Sequence, residues 1–141
     1  MKKLLLLLLL IPNLVMAENP LDKKGLLCNL DKNKSPAPHH YESIKLWCEN
    51  NMCWDFWIDG YKVLKSTGWE TSLIGSDEIR FSLSSANSRV LNRATLEMIE
   101  WADLHDFSPP RTWVCEVTLK KNDVVKHLYE KIKKSKKENK I

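Results

Sequence analysis

The chain has 141 residues, 43% of them hydrophobic and 28% charged, with a formal net charge of +4. That is room for one compact domain, which excludes a large multidomain enzyme, and the near-average balance excludes wholesale disorder. The charge is uneven: residues 18–119 carry 11 Lys and Arg against 15 Asp and Glu, whereas residues 120–141 carry nine against three.

At the start, Met1, Lys2 and Lys3 precede an unbroken apolar run over residues 4–11, Pro12 ends it, and Val15-Met16-Ala17 offers the residues a signal peptidase reads. This pattern predicts an export signal over 1–17, a mature chain from Glu18, and a periplasmic or secreted destination. Eight apolar residues rise only about 12 Å as a helix, against a bilayer core of roughly 30 Å, so no transmembrane segment is expected in the mature chain. Cys28, the first cysteine, follows Leu27 and lies beyond Asp22, Lys23 and Lys24, which speaks against a lipid anchor.

Residues 25–30 read as a first strand, and the polar, proline-containing stretch 31–38 as a loop. Residues 43–48 and 53–58 should pair across Asn50-Asn51, and Asp59-Gly60 is a strong hairpin signal leading into 61–64. The strand 54–58 is apolar on both faces apart from Asp55, which suggests a central position. Farther on, Ile79, Phe81 and Leu83 alternate with polar neighbours, and 89–91 and 96–99 flank the turn-like Asn92-Arg93-Ala94-Thr95. Trp113, Cys115 and Val117 mark a last strand. Asn122 or Asp123 should cap a helix with Val124, Val125, Leu128 and Ile132 along one face. The expected fold is mainly β: a single antiparallel meander of about seven or eight short strands, barrel-like or strongly curved, over 18–119. A C-terminal amphipathic helix and basic tail follow over 120–141.

The four cysteines all fall in the mature part, and an even count in an exported chain reads as two disulfides. Of three pairings we favour Cys48 with Cys53 across the turn, leaving Cys28 with Cys115. Trp47 would then face Trp54 across the same hairpin. The rival is a zinc site built from Cys48, Cys53, His39 and His40, although its spacing matches no established finger.

No GxSxG, HExxH, GxxxxGK or GxGxxG pattern occurs, so hydrolase, zincin and nucleotide-enzyme chemistries lack their anchor residues, and no catalytic residue or cofactor is assigned. The best remaining constellation places His105 among Glu100, Asp103 and Asp106, where carboxylates could orient a base. Asp55 and Asp59 are about 13 Å apart along a strand, too far for paired glycosidase carboxyls. Six tryptophans are many for this length; most should fill the core, with Trp69 and Trp101, beside polar residues, expected at the surface as a binding platform. Lys133, Lys134, Lys136 and Lys137 form a basic tail that could attract anionic polymers or a membrane surface. No aromatic residue is interleaved among the last lysines, so specific nucleic-acid binding is not expected.

Leu26-Leu27-Cys28, Trp54-Asp55-Phe56-Trp57, Asp59-Gly60-Tyr61-Lys62-Val63, Phe81, the Leu91-Asn92-Arg93-Ala94-Thr95-Leu96 hairpin, Trp113-Val114-Cys115 and the Asn139-Lys140-Ile141 ending together resemble a group of short exported proteins of marine alphaproteobacteria. The resemblance implies a secreted or periplasmic small β-protein and carries no activity; the long stretch between Leu96 and Trp113 departs from its pattern. The expected function is a binding or interaction module for an envelope protein, glycan or cell-wall element. In size, export and cysteine bridging it resembles, at fold level, the small periplasmic lysozyme inhibitors. The alternatives are a small-ligand carrier with an apolar barrel cavity and, behind it, a small hydrolase.

Overall fold

A computed structural model of the chain describes residues 19–37, 42–83, 87–101 and 110–139; the expected signal segment lies outside them. The described residues form nine strands and one helix, in order: β1 (Lys24–Leu30), β2 (Ser43–Glu49), β3 (Met52–Asp59), β4 (Lys62–Lys65), β5 (Trp69–Ile74), β6 (Glu78–Ser82), β7 (Ser88–Asn92), β8 (Glu97–Trp101), β9 (Arg111–Thr118) and α1 (Lys121–Glu138). Every pairing is antiparallel, and with β2 paired to β3 and the first strand β1 paired to the last, β9, eight strands close into an up-and-down barrel. The ninth, β4, pairs with β3 outside the ring. Closure satisfies backbone groups that an open sheet would leave at its edges.

Turn chemistry explains why the chain reverses where it does. Asn50 and Asn51 both adopt positive φ, 52° and 62°, the conformation a two-residue hairpin of this kind requires and asparagine tolerates. Cys48 then stands opposite Cys53 and Trp47 opposite Trp54, as expected. In the β7–β8 turn, the Asn92 side chain accepts hydrogen bonds from the backbone of Ala94 and Thr95, while the Arg93 guanidinium donates to the Ser76 carbonyl of the neighbouring turn. The Leu-Asn-Arg-x-Thr-Leu motif is therefore a structural lock between two adjacent turns, with Leu91 in the core and Leu96 packed against it.

Register fixes which side chains point inward. Leu26, Cys28, Leu46, Cys48, Cys53, Trp69, Ile79, Phe81, Leu91, Met98, Trp113 and Cys115 form one buried cluster, and Leu21 from the N-terminal turn joins it. An eight-stranded barrel is just wide enough for side chains to fill. Here tryptophan, phenylalanine and methionine fill it. Both disulfides, Cys28–Cys115 and Cys48–Cys53, lie in this cluster.

The helix packs on the outside. Val124, Leu128 and Ile132 are its buried residues, one per turn. It seats over Gly25, where an added Cβ would come within 2.7 Å of Val124 and 2.9 Å of the Leu46 carbonyl. Trp47, across the β1–β2 ladder from Gly25, is buried on that same outer face.

Three expectations need correction. Strand β5 was not anticipated, because Trp69–Ile74 mixes Glu70, Thr71 and Ser72 into a short run with weak alternation. Neither Asn122 nor Asp123 is the N-cap: the cap is Lys120, with no side-chain bond, and Asp123 instead accepts from the Thr118 hydroxyl at 2.7 Å. Trp69 is inside the barrel, only 5% exposed, because β5 is a barrel strand whose Trp69 pairs with the inward Cys53.

Candidate functional site

Inward parity brings three charged residues into the barrel. Asp55 follows Cys53 on β3, Arg89 precedes Leu91 on β7, and Glu100 follows Met98 on β8, each two residues from a core position. The Arg89 guanidinium donates from Nη1 to Asp55 Oδ1 and from Nε to Glu100 Oε2, both at 2.7 Å. Its plane lies over the Trp69 ring at 4.1 Å, and the Trp69 indole N–H donates to the second Asp55 oxygen at 2.9 Å. Burial works against the guanidinium charge, but the Asp55 and Glu100 carboxylates outweigh it and hold the Arg89 proton more firmly than usual. The cluster sits at the barrel end that carries the β6–β7 and β8–β9 connections, and Trp57, 43% exposed, continues the same row of β3 beyond Asp55. With two carboxylates sharing one guanidinium, the arrangement ties β3, β7 and β8 together.

A second region forms where the end of α1 meets the β3–β4 hairpin. Gly60, at φ 59°, turns the hairpin so that Tyr61 stands 49% exposed at its tip. The Tyr61 hydroxyl accepts a hydrogen bond from Asn139 Nδ2 at 2.9 Å, and the Lys136 ammonium lies 5.6 Å from its ring centroid. On the hairpin itself, Lys65 lies 4.8 Å over the Trp54 ring. Lys133, Lys134 and Lys137 are exposed on the same helix end. The aromatic partner that the tail lacks in sequence is thus supplied by a residue 78 positions away.

On the other flank of α1, a cleft of about 510 Å³ opens between the helix and the outer face of β1 and β2, lined among others by Lys32, Glu42, Lys45, His127 and Lys131. A further groove of about 500 Å³ runs over the outer face of β6 to β8, where Ile74, Val90, Ile99 and Trp101 are rimmed by Glu78, Arg80 and Glu97. Trp101 is 41% exposed, in keeping with its expected surface position.

Of the other residues singled out from sequence, Cys48 and Cys53 are bonded to each other, so the thiolate pair that the zinc alternative requires does not exist. His39 and His40 fall outside the described residues, as do Asp103, His105 and Asp106; Glu100, their expected companion, is held by Arg89. Sequence reasoning missed Arg89. Its signal was parity: an arginine at the inward position of an otherwise apolar strand. Among the described residues no helix is long and apolar enough to cross a membrane. No protein-family model matches the chain, nor does any curated protein or solved structure.

Proposed function

We propose that the protein is an exported binding module that engages an anionic envelope polymer, a glycan or cell-wall chain, through the surface where α1 meets the β3–β4 hairpin. The observation that carries this is the approach of Lys136 and Asn139 to Tyr61, which joins the lysine-rich helix end to an exposed aromatic ring. Ammonium groups supply attraction without sequence preference, while a flat ring gives a contact face for a sugar. The charge distribution favours the same end, since the barrel segment is net acidic and only residues 120–141 are strongly basic. Interior packing favours an outer surface over a carrier cavity: Trp113, Phe81 and Met98 are fully buried where a ligand would have to lie.

Titration with polygalacturonate against neutral dextran tests the assignment. Binding should be confined to the anionic polymer and weaken steeply with salt. Replacing Lys133, Lys134, Lys136 and Lys137 with Gln should reduce it at least tenfold, and Tyr61→Ala should reduce it while leaving the salt dependence in place. Equal binding to dextran, or an unchanged quadruple variant, would refute it.

A further inference from the structure

Lys45 presents an unusual electrostatic situation on the outer face of β2. Its side chain is half-buried beneath α1, its ammonium donates to the Ser43 hydroxyl at 3.4 Å with no other acceptor among the described residues, and its charged neighbour across the cleft is another cation, Lys131. Burial first, and Lys131 second, hold the Lys45 amine below its ordinary value. His127, one helical turn before Lys131, borders the same cleft. The nearby carboxylate, Glu42, is already engaged by Lys32 at 2.7 Å on the rim. Lys32 and Glu42 thus balance each other, and in a cleft of about 510 Å³ the ammonium groups of Lys45 and Lys131 have no carboxylate partner among the described residues.

The geometry points to a binding site for a phosphate-class oxyanion in this cleft, with Lys45 and Lys131 as the paired cationic contacts and His127 and the Ser43 hydroxyl as further hydrogen-bonding groups. A tetrahedral, multiply charged anion fits this set. It can accept from two ammonium groups approaching from opposite walls, and charge-assisted bonds of that kind are about twice as strong as neutral ones. The site is separate from the aromatic and lysine surface at the hairpin. Lys136 is turned about 140° around the helix axis from Lys131, so the residues that meet Tyr61 and those that line the cleft occupy different flanks of α1.

The test is calorimetric titration of the protein with inorganic phosphate and with glucose 1-phosphate, using chloride as the control anion. Both phosphates should bind in preference to chloride. A tighter monoester assigns the cleft to a phosphoryl group carried on a larger molecule, and tighter inorganic phosphate assigns it to the free anion. Lys45→Gln and Lys131→Gln should each weaken binding about tenfold, as expected for losing one charged hydrogen-bonding group. Lys131 is exposed on the helix, so its substitution leaves the fold in place and keeps the result interpretable if Lys45→Gln is unstable. The Lys133, Lys134, Lys136 and Lys137 to Gln variant should retain phosphate binding within about twofold, because those charges are solvated and screened. Phosphate binding no better than chloride, or equal affinity in the Lys131→Gln variant, would overturn the assignment whatever the outcome with polymers.

Discussion

Cys28 and Cys115 face each other in register on β1 and β9, the first and last strands of the ring, and their bond fastens the seam where the barrel closes. The two residues are 87 positions apart, against five for Cys48 and Cys53. On the chain-entropy model the long closure is worth about 4–5 kcal/mol and the short one about 2 kcal/mol. Chemical denaturation should accordingly show a larger loss for Cys28→Ser/Cys115→Ser than for Cys48→Ser/Cys53→Ser. Equal losses would mean that local packing, not ring closure, sets the contribution of each bridge.

Removing Arg89 should destabilise the barrel as much as truncating one of its buried aromatics. Arg89→Met leaves Asp55 and Glu100 in the interior without their shared cation, at a cost of about 3–5 kcal/mol. Adding Asp55→Asn and Glu100→Gln to the same variant should recover a large part of that loss, since the uncompensated charges disappear with it. Urea unfolding of the single and triple variants makes the comparison; a triple variant weaker than the single would show that the cluster matters through its hydrogen bonds and not through charge balance.

Gly25 is the contact point of helix and barrel. A methyl group there would press on Val124, Thr118 and the Leu46 backbone, so Gly25→Ala should cost about 1–3 kcal/mol by lifting α1 from its seat. Hydrogen exchange should localise the effect, with α1 amides losing protection ahead of the strands. Uniform loss across the barrel would contradict the idea that the helix is an attached layer.

Stability should also rise with alkalinity through Lys45. Burial, and then Lys131, lower its folded-state pKa beneath the ordinary 10.5, so the folded protein releases this proton at a lower pH than the unfolded chain. The unfolded state then binds more protons between the two values, and stability increases as pH climbs from the lowered folded pKa toward 10.5; below that window the penalty on the charged form persists in full. Lys45→Met should raise the melting temperature at neutral pH and flatten the alkaline rise. A difference from wild type that stays constant as the pH is raised to 10.5 and beyond would exclude this titration as the cause.

Local chemistry made much of the scaffold legible. Asn50-Asn51, Asp59-Gly60 and Asn92 to Thr95 announced their turns because each needs backbone conformations or side-chain acceptors that few residues supply. The bridges followed once Cys48 and Cys53 were placed on either side of one of those turns. The central place of 54–58 also emerges: β3 pairs with β2, β4 and β5. What stayed hidden depends on distant partners. Trp69 looked exposed beside polar neighbours, yet Asp55, 14 positions earlier, satisfies its N–H inside the barrel. Arg89 finds its two carboxylates 34 and 11 positions away, and Lys136 and Asn139 at the helix end find Tyr61 on the β3–β4 hairpin. Such meetings depend on strand register and on how the helix docks, which no local pattern records.

The departure of β4 from the ring has a consequence for how copies of the protein behave toward one another. Among the described residues eight strands have strand neighbours on both sides, but β4 has one, and its other side is a short row of backbone donors and acceptors without a strand partner. Lys62 and Lys65 stand at its two ends, and like charges brought together by edge pairing would repel. Acetylation of these two lysines would remove that protection, and self-association through the hairpin, read as a concentration-dependent sedimentation coefficient, is where its loss would first be seen.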